Sequence, residues 1–122
     1  MILVVDNDPG ILKLLRSALE GGGLKVVTAA DGVEAYKLVR SPDCKCMVLD
    51  VMMPRLNGIE LLLLMQADNI HVPTIVMAGF EDFTADEMKQ FGNVVRFLRK
   101  PFDLKILLDE VRKQLGKAAA AR

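Results

Sequence analysis

What the chain lacks narrows it first. It has no surplus of charge: 16 Lys and Arg face 16 Asp and Glu, and the formal net charge is zero. Without a basic excess there is no electrostatic footprint for nucleic acid or an anionic bilayer, so direct contact with either is not expected. No apolar run approaches the roughly 20 residues that cross a membrane. Met1 runs straight into Ile2-Leu3-Val4-Val5, with no charged region and cleavage site ahead of it, which argues against secretion and for a cytoplasmic protein. Cysteine is scarce. Cys44 and Cys46 are the two thiols and His71 the one histidine, so no zinc ligand set exists. Two reduced thiols at the start of a strand are expected, and His71, before Val72-Pro73, reads as a loop residue. Internal repeats and low-complexity blocks are missing too.

What is present fits one domain. A chain of 122 residues buries about two-thirds of its unfolded surface without staples. Five short apolar runs alternate with helical patterns: 2–5, 25–28, 46–49, 74–78 and 94–98. Most are continuous rather than alternating, as a parallel strand covered on both faces requires.

Between the runs lie helix signals. Asp8 caps and Pro9 opens a first helix, with Ile11, Leu12, Leu15, Ala18 and Leu19 as its apolar stripe and Gly21-Gly22-Gly23 as its stop. A second follows Asp31-Gly32 and stops at Ser41-Pro42. Asn57 and Glu60 have capping-box spacing for a third. Its segment from Leu61 to Met65 is apolar nearly all round and is expected to be well covered. Thr84 and Glu87 repeat the spacing for a short fourth helix ending at Gly92. Asp103 caps a fifth with Leu104, Leu107, Leu108, Val111 and Leu115 inward; the core then spans 2–115, and 116–122 is a helical tail or the start of a linker. A β-α unit repeated five times implies a doubly wound α/β fold, a parallel sheet with helices on both faces.

In such a sheet, sites form where the strand C-termini open into loops. Strand 1 opens into Asp6-Asn7-Asp8, strand 3 into Asp50, strand 4 into Ala78-Gly79 and strand 5 into Arg99-Lys100-Pro101. Carboxylates from two strands therefore converge with a lysine from a third. Crowded carboxylates favour a hard cation, and Mg²⁺ takes one or two of them together with waters and phosphate oxygens. A carboxylate can attack phosphorus, a metal can neutralise the phosphoryl oxygens, and an ammonium can pair with the transferred group.

The segments VVDNDPGI, VLDVMMPRLNGIELL and FLRKPF resemble the three signature blocks of response-regulator receivers. Asp6 and Asp50 lie 44 residues apart, and Asp50 and Lys100 lie 50 apart. The resemblance covers Ile2 to about Leu115. It implies a flavodoxin-like receiver fold with strand order 2-1-3-4-5 and five helices. It makes Asp50 the phosphoacceptor, Asp6 the first acid of a Mg²⁺ pocket, and Lys100 the phosphoryl-contacting lysine. It makes the Met52 backbone carbonyl a metal ligand and Phe97 the aromatic switch. Pro101 falls where the family often has a cis bond. Two positions depart. Asn7 stands in place of a second acid and offers a neutral metal ligand. Ala78 stands where Thr or Ser hydrogen-bonds the phosphoryl group and couples it to the aromatic.

The resemblance implies phosphoryl transfer from a histidine kinase or phosphotransfer protein onto Asp50, and signalling by conformational change. It implies self-phosphorylation and slow self-dephosphorylation rather than turnover of an external substrate. An attached output domain, or a homodimer through helix 4, strand 5 and helix 5, is the expected partner. Asn7 and Ala78 motivate a second reading, a degenerate receiver that binds a protein partner without phosphorylation. Asp-x-Asp after strand 1 also marks haloacid-dehalogenase-like phosphohydrolases, with Asp6 as nucleophile and Asp8 as acid; that reading leaves the Asp50 block unexplained.

Overall fold

The apolar runs form strands because each can be covered on both sides at once. In this computed structural model, which describes residues 1–79 and 85–120, the strands are β1 (Ile2–Val5), β2 (Val26–Ala29), β3 (Cys46–Asp50), β4 (Thr74–Ala78) and β5 (Val94–Arg99). They make one five-stranded parallel sheet in the order β2-β1-β3-β4-β5. The helices are α1 (Pro9–Gly21), α2 (Gly32–Val39), α3 (Gly58–Ala67), α4 (Ala85–Met88) and α5 (Leu104–Ala120).

Strand alternation divides the core. Leu3, Val5, Met47, Leu49 and Val76 face α2, α3 and α4 and pack with Ala35, Val39, Leu61, Met65 and Met88. Ile2, Val4, Val48, Ile75 and Met77 face α1 and α5 and pack with Leu15, Leu19, Leu107 and Val111. The three inner strands β1, β3 and β4 are buried at every position; β2 and β5, at the edges, are only partly so.

The caps form as their residues dictate. Asp8 accepts from the Gly10 N–H and Asp31 from the Glu34 N–H. Asn57 and Glu60 close a reciprocal capping box, and Asp103 accepts from the Lys105 N–H at 2.8 Å. Gly23, at φ 86°, takes the left-handed turn that releases the chain from α1. Thr84, the expected cap of the fourth helix, lies outside the described residues.

One expectation fails. α3 is apolar nearly all round, yet Leu63 is 51% and Leu64 37% exposed, while Leu61, Leu62 and Met65 are buried. A helix laid on a sheet covers one stripe only, so the additional leucines face solvent. Cys46 opens β3 and Cys44 precedes it; both are free thiols. Burial pushes them up, to about 11 for Cys44 and about 12 for Cys46, so they are inert. His71 is exposed in the loop between α3 and β4.

Candidate functional site: an acidic pocket at the strand C-termini

Asp6 directly follows β1 and Asp50 is the last residue of β3, its neighbour in the sheet. Apolar residues before them are locked in the core, so both carboxylates are delivered to one edge. Asp6 is fully buried and Asp50 is 4% exposed. Lys100 directly follows β5, where its N–H donates to the Ala78 carbonyl at 2.8 Å. Its ammonium crosses to the acids, donating to Asp6 Oδ2 at 3.1 Å and lying 3.3 Å from Asp50 Oδ1. Three residues far apart in sequence thus form one cluster.

Its electrostatics are unbalanced, with two carboxylates sharing one ammonium. Asp50 is pushed up to about 6, first by burial and then by the Asp6 charge; Lys100 and the Met52 N–H oppose the shift without cancelling it. Burial alone would lower Lys100, but the hydrogen bond to Asp6 and the charges of Asp50 and Asp6 outweigh it, and its pKa is raised. Lys100 therefore stays charged, and Asp50 titrates at about 6.

The remaining candidates fall around this pair. Asp6 Oδ1 accepts the Asp8 N–H at 2.9 Å, which fixes the first loop. The Asp8 carboxylate is committed to α1, accepting from Gly10 N–H at 2.8 Å. Asn7, between them, is exposed. Met52 has an exposed side chain and turns its N–H toward Asp50. Ala78 is buried at the end of β4, and its methyl offers no hydroxyl. Phe97 is half-buried against the α3 and α4 side of the core. The Lys100–Pro101 peptide is cis.

Two residues escaped the sequence reading. Gly58 lies so close under the β3 loop that a Cβ there would stand 2.8 Å from Val51 Cα and 3.0 Å from the Asp50 carbonyl oxygen. Arg99 donates to the Gly79 carbonyl at 2.9 Å, and its guanidinium carbon lies 5.4 Å from the Phe97 ring centroid. The two-residue spacing of Phe97 and Arg99 on a strand was the available signal, since it places both on one face.

The donor chemistry suits a hard cation. Two buried carboxylates with charge in excess of the lysine's match what Mg²⁺ accepts from protein, with water and phosphate completing its octahedron. The described residues hold no group of three or more His, Cys, Asp and Glu side chains in metal-binding array, so a protein-only cage is not on offer. No helix among the described residues is long and apolar enough to cross a membrane.

Comparison with known proteins bears on the family and the fold. The family described as response regulator receiver domain matches residues 2–112. Response regulator MprA of Mycobacterium ulcerans is 35% identical over 114 residues, 93% of this chain and 49% of that protein. MprA of Mycobacterium tuberculosis is also 35% identical, over 93% of this chain and 50% of its own length. The chain thus spans about half the length of the curated relatives it matches. Among solved structures, the receiver domain of the Francisella response regulator 1452 superposes with a TM-score of 0.86 at 29% identity, covering 96% of this chain and 97% of that one. A response regulator receiver protein from Pseudomonas putida gives 0.82 at 31% identity, over 92% and 94%.

Proposed function

This chain belongs to the response regulator receiver family, and on that premise we propose that Asp50 is its phosphoacceptor, charged by a phosphohistidine on a histidine kinase or phosphotransfer protein. The observation that carries the reading is the lysine bridge. The Lys100 ammonium lies within contact of both Asp6 and Asp50, an arrangement that supports a pocket for compact negative charge.

The chemistry follows from the geometry. The ionised Asp50 carboxylate is the nucleophile: its oxygen bonds to phosphorus as the P–N bond to the donor histidine breaks and the imidazole leaves, so a group titrating near 6 is ready at neutral pH. Lys100 holds the transferred oxygens, and its raised pKa keeps the proton that makes it useful. Asp6 orients that ammonium from the other side and stays buried. When bound, Mg²⁺ neutralises charge on the phosphoryl oxygens. Asp6, Asp50 and the Met52 carbonyl would hold it, with Asn7 adding a neutral oxygen at most. The loss of one acid at position 7 lowers its affinity. The product adds about −1.5 to −2 units of charge if it behaves as other phospho-residues do.

The chain is read as a single receiver with its core in 2–115. It self-phosphorylates and slowly dephosphorylates rather than turning over external substrate. The face of α4, β5 and α5 is the docking or dimer surface. The phosphohydrolase reading is disfavoured because Asp8 is committed to capping α1. The phosphorylation-independent module is the surviving alternative, favoured only by Ala78 and Asn7.

Incubation with a small phosphodonor and Mg²⁺ separates them. The expected result is a mass gain of one phosphoryl group that is absent in Asp50→Asn. No gain at any metal concentration would sink the phosphoacceptor reading and leave the binding module.

A further inference from the structure

β5 carries a second cation beside the pocket. Arg99 pairs with Ala78 in the β4–β5 register, at the point where Ala78 leaves the turn after β4 without a hydroxyl. Its Nη1 donates to the Gly79 carbonyl, the next residue of that turn, at 2.9 Å. The same guanidinium lies over Phe97, with its central carbon 5.4 Å from the ring centroid. Phe97 packs against the core cluster that contains Ala78. One side chain therefore touches both the turn after β4 and the aromatic of β5. The next residue in the chain, Lys100, touches Asp50.

Resting on the reading of Asp50 given above, we infer that Arg99 couples a phosphoryl group on Asp50 to the turn after β4 and to Phe97, in place of the hydroxyl that Ala78 cannot supply. The competition is between a neutral carbonyl and a dianion. The guanidinium's bond to a neutral carbonyl is weaker than one to a phosphoryl oxygen, where both partners are charged, and the planar fork of arginine takes two phosphoryl oxygens at once. Strand spacing of about 4.8 Å puts β5 roughly 10 Å from β3, and the guanidinium already stands at Gly79, one residue past its β4 register partner Ala78. On phosphorylation the guanidinium leaves the Gly79 carbonyl for the phosphoryl oxygens. Gly79 loses its bond to Arg99 while the Lys100 N–H keeps its own to the Ala78 carbonyl, and the Phe97 ring loses the cation over its face. Sub-ångström changes at the pocket thereby reach the α4–β5 surface through one residue with two discrete sets of partners.

Nuclear magnetic resonance on the full chain tests this. The probe is beryllofluoride with Mg²⁺, a stand-in for the phosphoryl group, with its binding followed by fluorine signals so that proteins are compared at equal occupancy. In the parent, the Arg99 Nε–H, the Gly79 amide and the Phe97 ring resonances are expected to shift on saturation. In Arg99→Gln the Gly79 and Phe97 responses fall at least threefold. Arg99→Lys, which keeps the charge without the fork, restores only part of them and serves alone if the glutamine variant does not fold. A full response in both variants overturns the coupling while leaving Asp50 as acceptor. A parent that binds no beryllofluoride overturns the acceptor reading and this inference together.

Discussion

Asp50 is strained by charge rather than by geometry. Its carboxylate is buried beside another that shares its one ammonium, and its pKa rises from 3.8 to about 6. The sign of the linkage follows. The folded state holds the proton more tightly than the unfolded chain, so the group subtracts no stability below about pH 4. Its penalty grows between about 4 and 6 and is complete above 6. The rise from 3.8 to about 6 corresponds to about 3 kcal/mol at most, and solvent screening at the pocket mouth trims this to on the order of 1–2 kcal/mol. Asp50→Asn should therefore stabilise the fold by about that amount at pH 7.5, read from urea unfolding, and lose most of the advantage at pH 4.5. Equal stabilities at both pH values would show that the crowding is absent. The same titration sets the activity: uptake from a phosphodonor should fall about tenfold per pH unit below 6 as the nucleophile takes its proton.

Among elements, the two close-packed glycines matter most for placing the pocket. A Cβ on Gly32 would lie 1.9 Å from the Leu56 carbonyl oxygen, so the start of α2 and the loop after β3 touch backbone to backbone. Gly32→Ala must push that loop aside and should destabilise by about 1–3 kcal/mol or more, as overpacking does. Gly21→Ala, at the end of α1 with nothing within 4 Å of the added carbon, should be neutral or slightly stabilising. Thermal unfolding of the two variants side by side makes the comparison, and equal melting temperatures would contradict the close approach. Such contacts are not legible in the sequence, because they depend on how two elements meet. The strands were legible: a run such as Ile2–Val5 has no other way to be covered on both faces. The edge strands were legible only to within a residue, since partial exposure blurs where they end. The outward face of α3 was not legible at all. Leu61 through Leu64 are four identical residues, and nothing in them says which two the sheet will take.

At the scale of the whole molecule, the sheet serves to bring the first, middle and last thirds of the chain to one edge. Asp6, Asp50 and Lys100 were readable as a set because each directly ends or follows an apolar run, so topology alone carries them to the same place. The division of one ammonium between two acids, and the reach of Arg99 to Gly79, required side-chain paths that no pattern of residue types encodes. Because the pocket joins three strands, a ligand there should be felt by the entire fold. Binding to the native state alone adds RT ln(1 + [L]/Kd). With Mg²⁺ at tenfold its dissociation constant this is about 1.4 kcal/mol, enough to raise the melting temperature by several degrees. Adding millimolar Mg²⁺ at pH 7.5 should give that rise. Asp6→Asn should abolish it, sodium chloride of matched ionic strength should fail to reproduce it, and it should shrink below pH 6, where the proton on Asp50 competes with the cation. If Asp6→Asn gains as much from Mg²⁺ as the parent does, the cation binds elsewhere and the pocket is not its site.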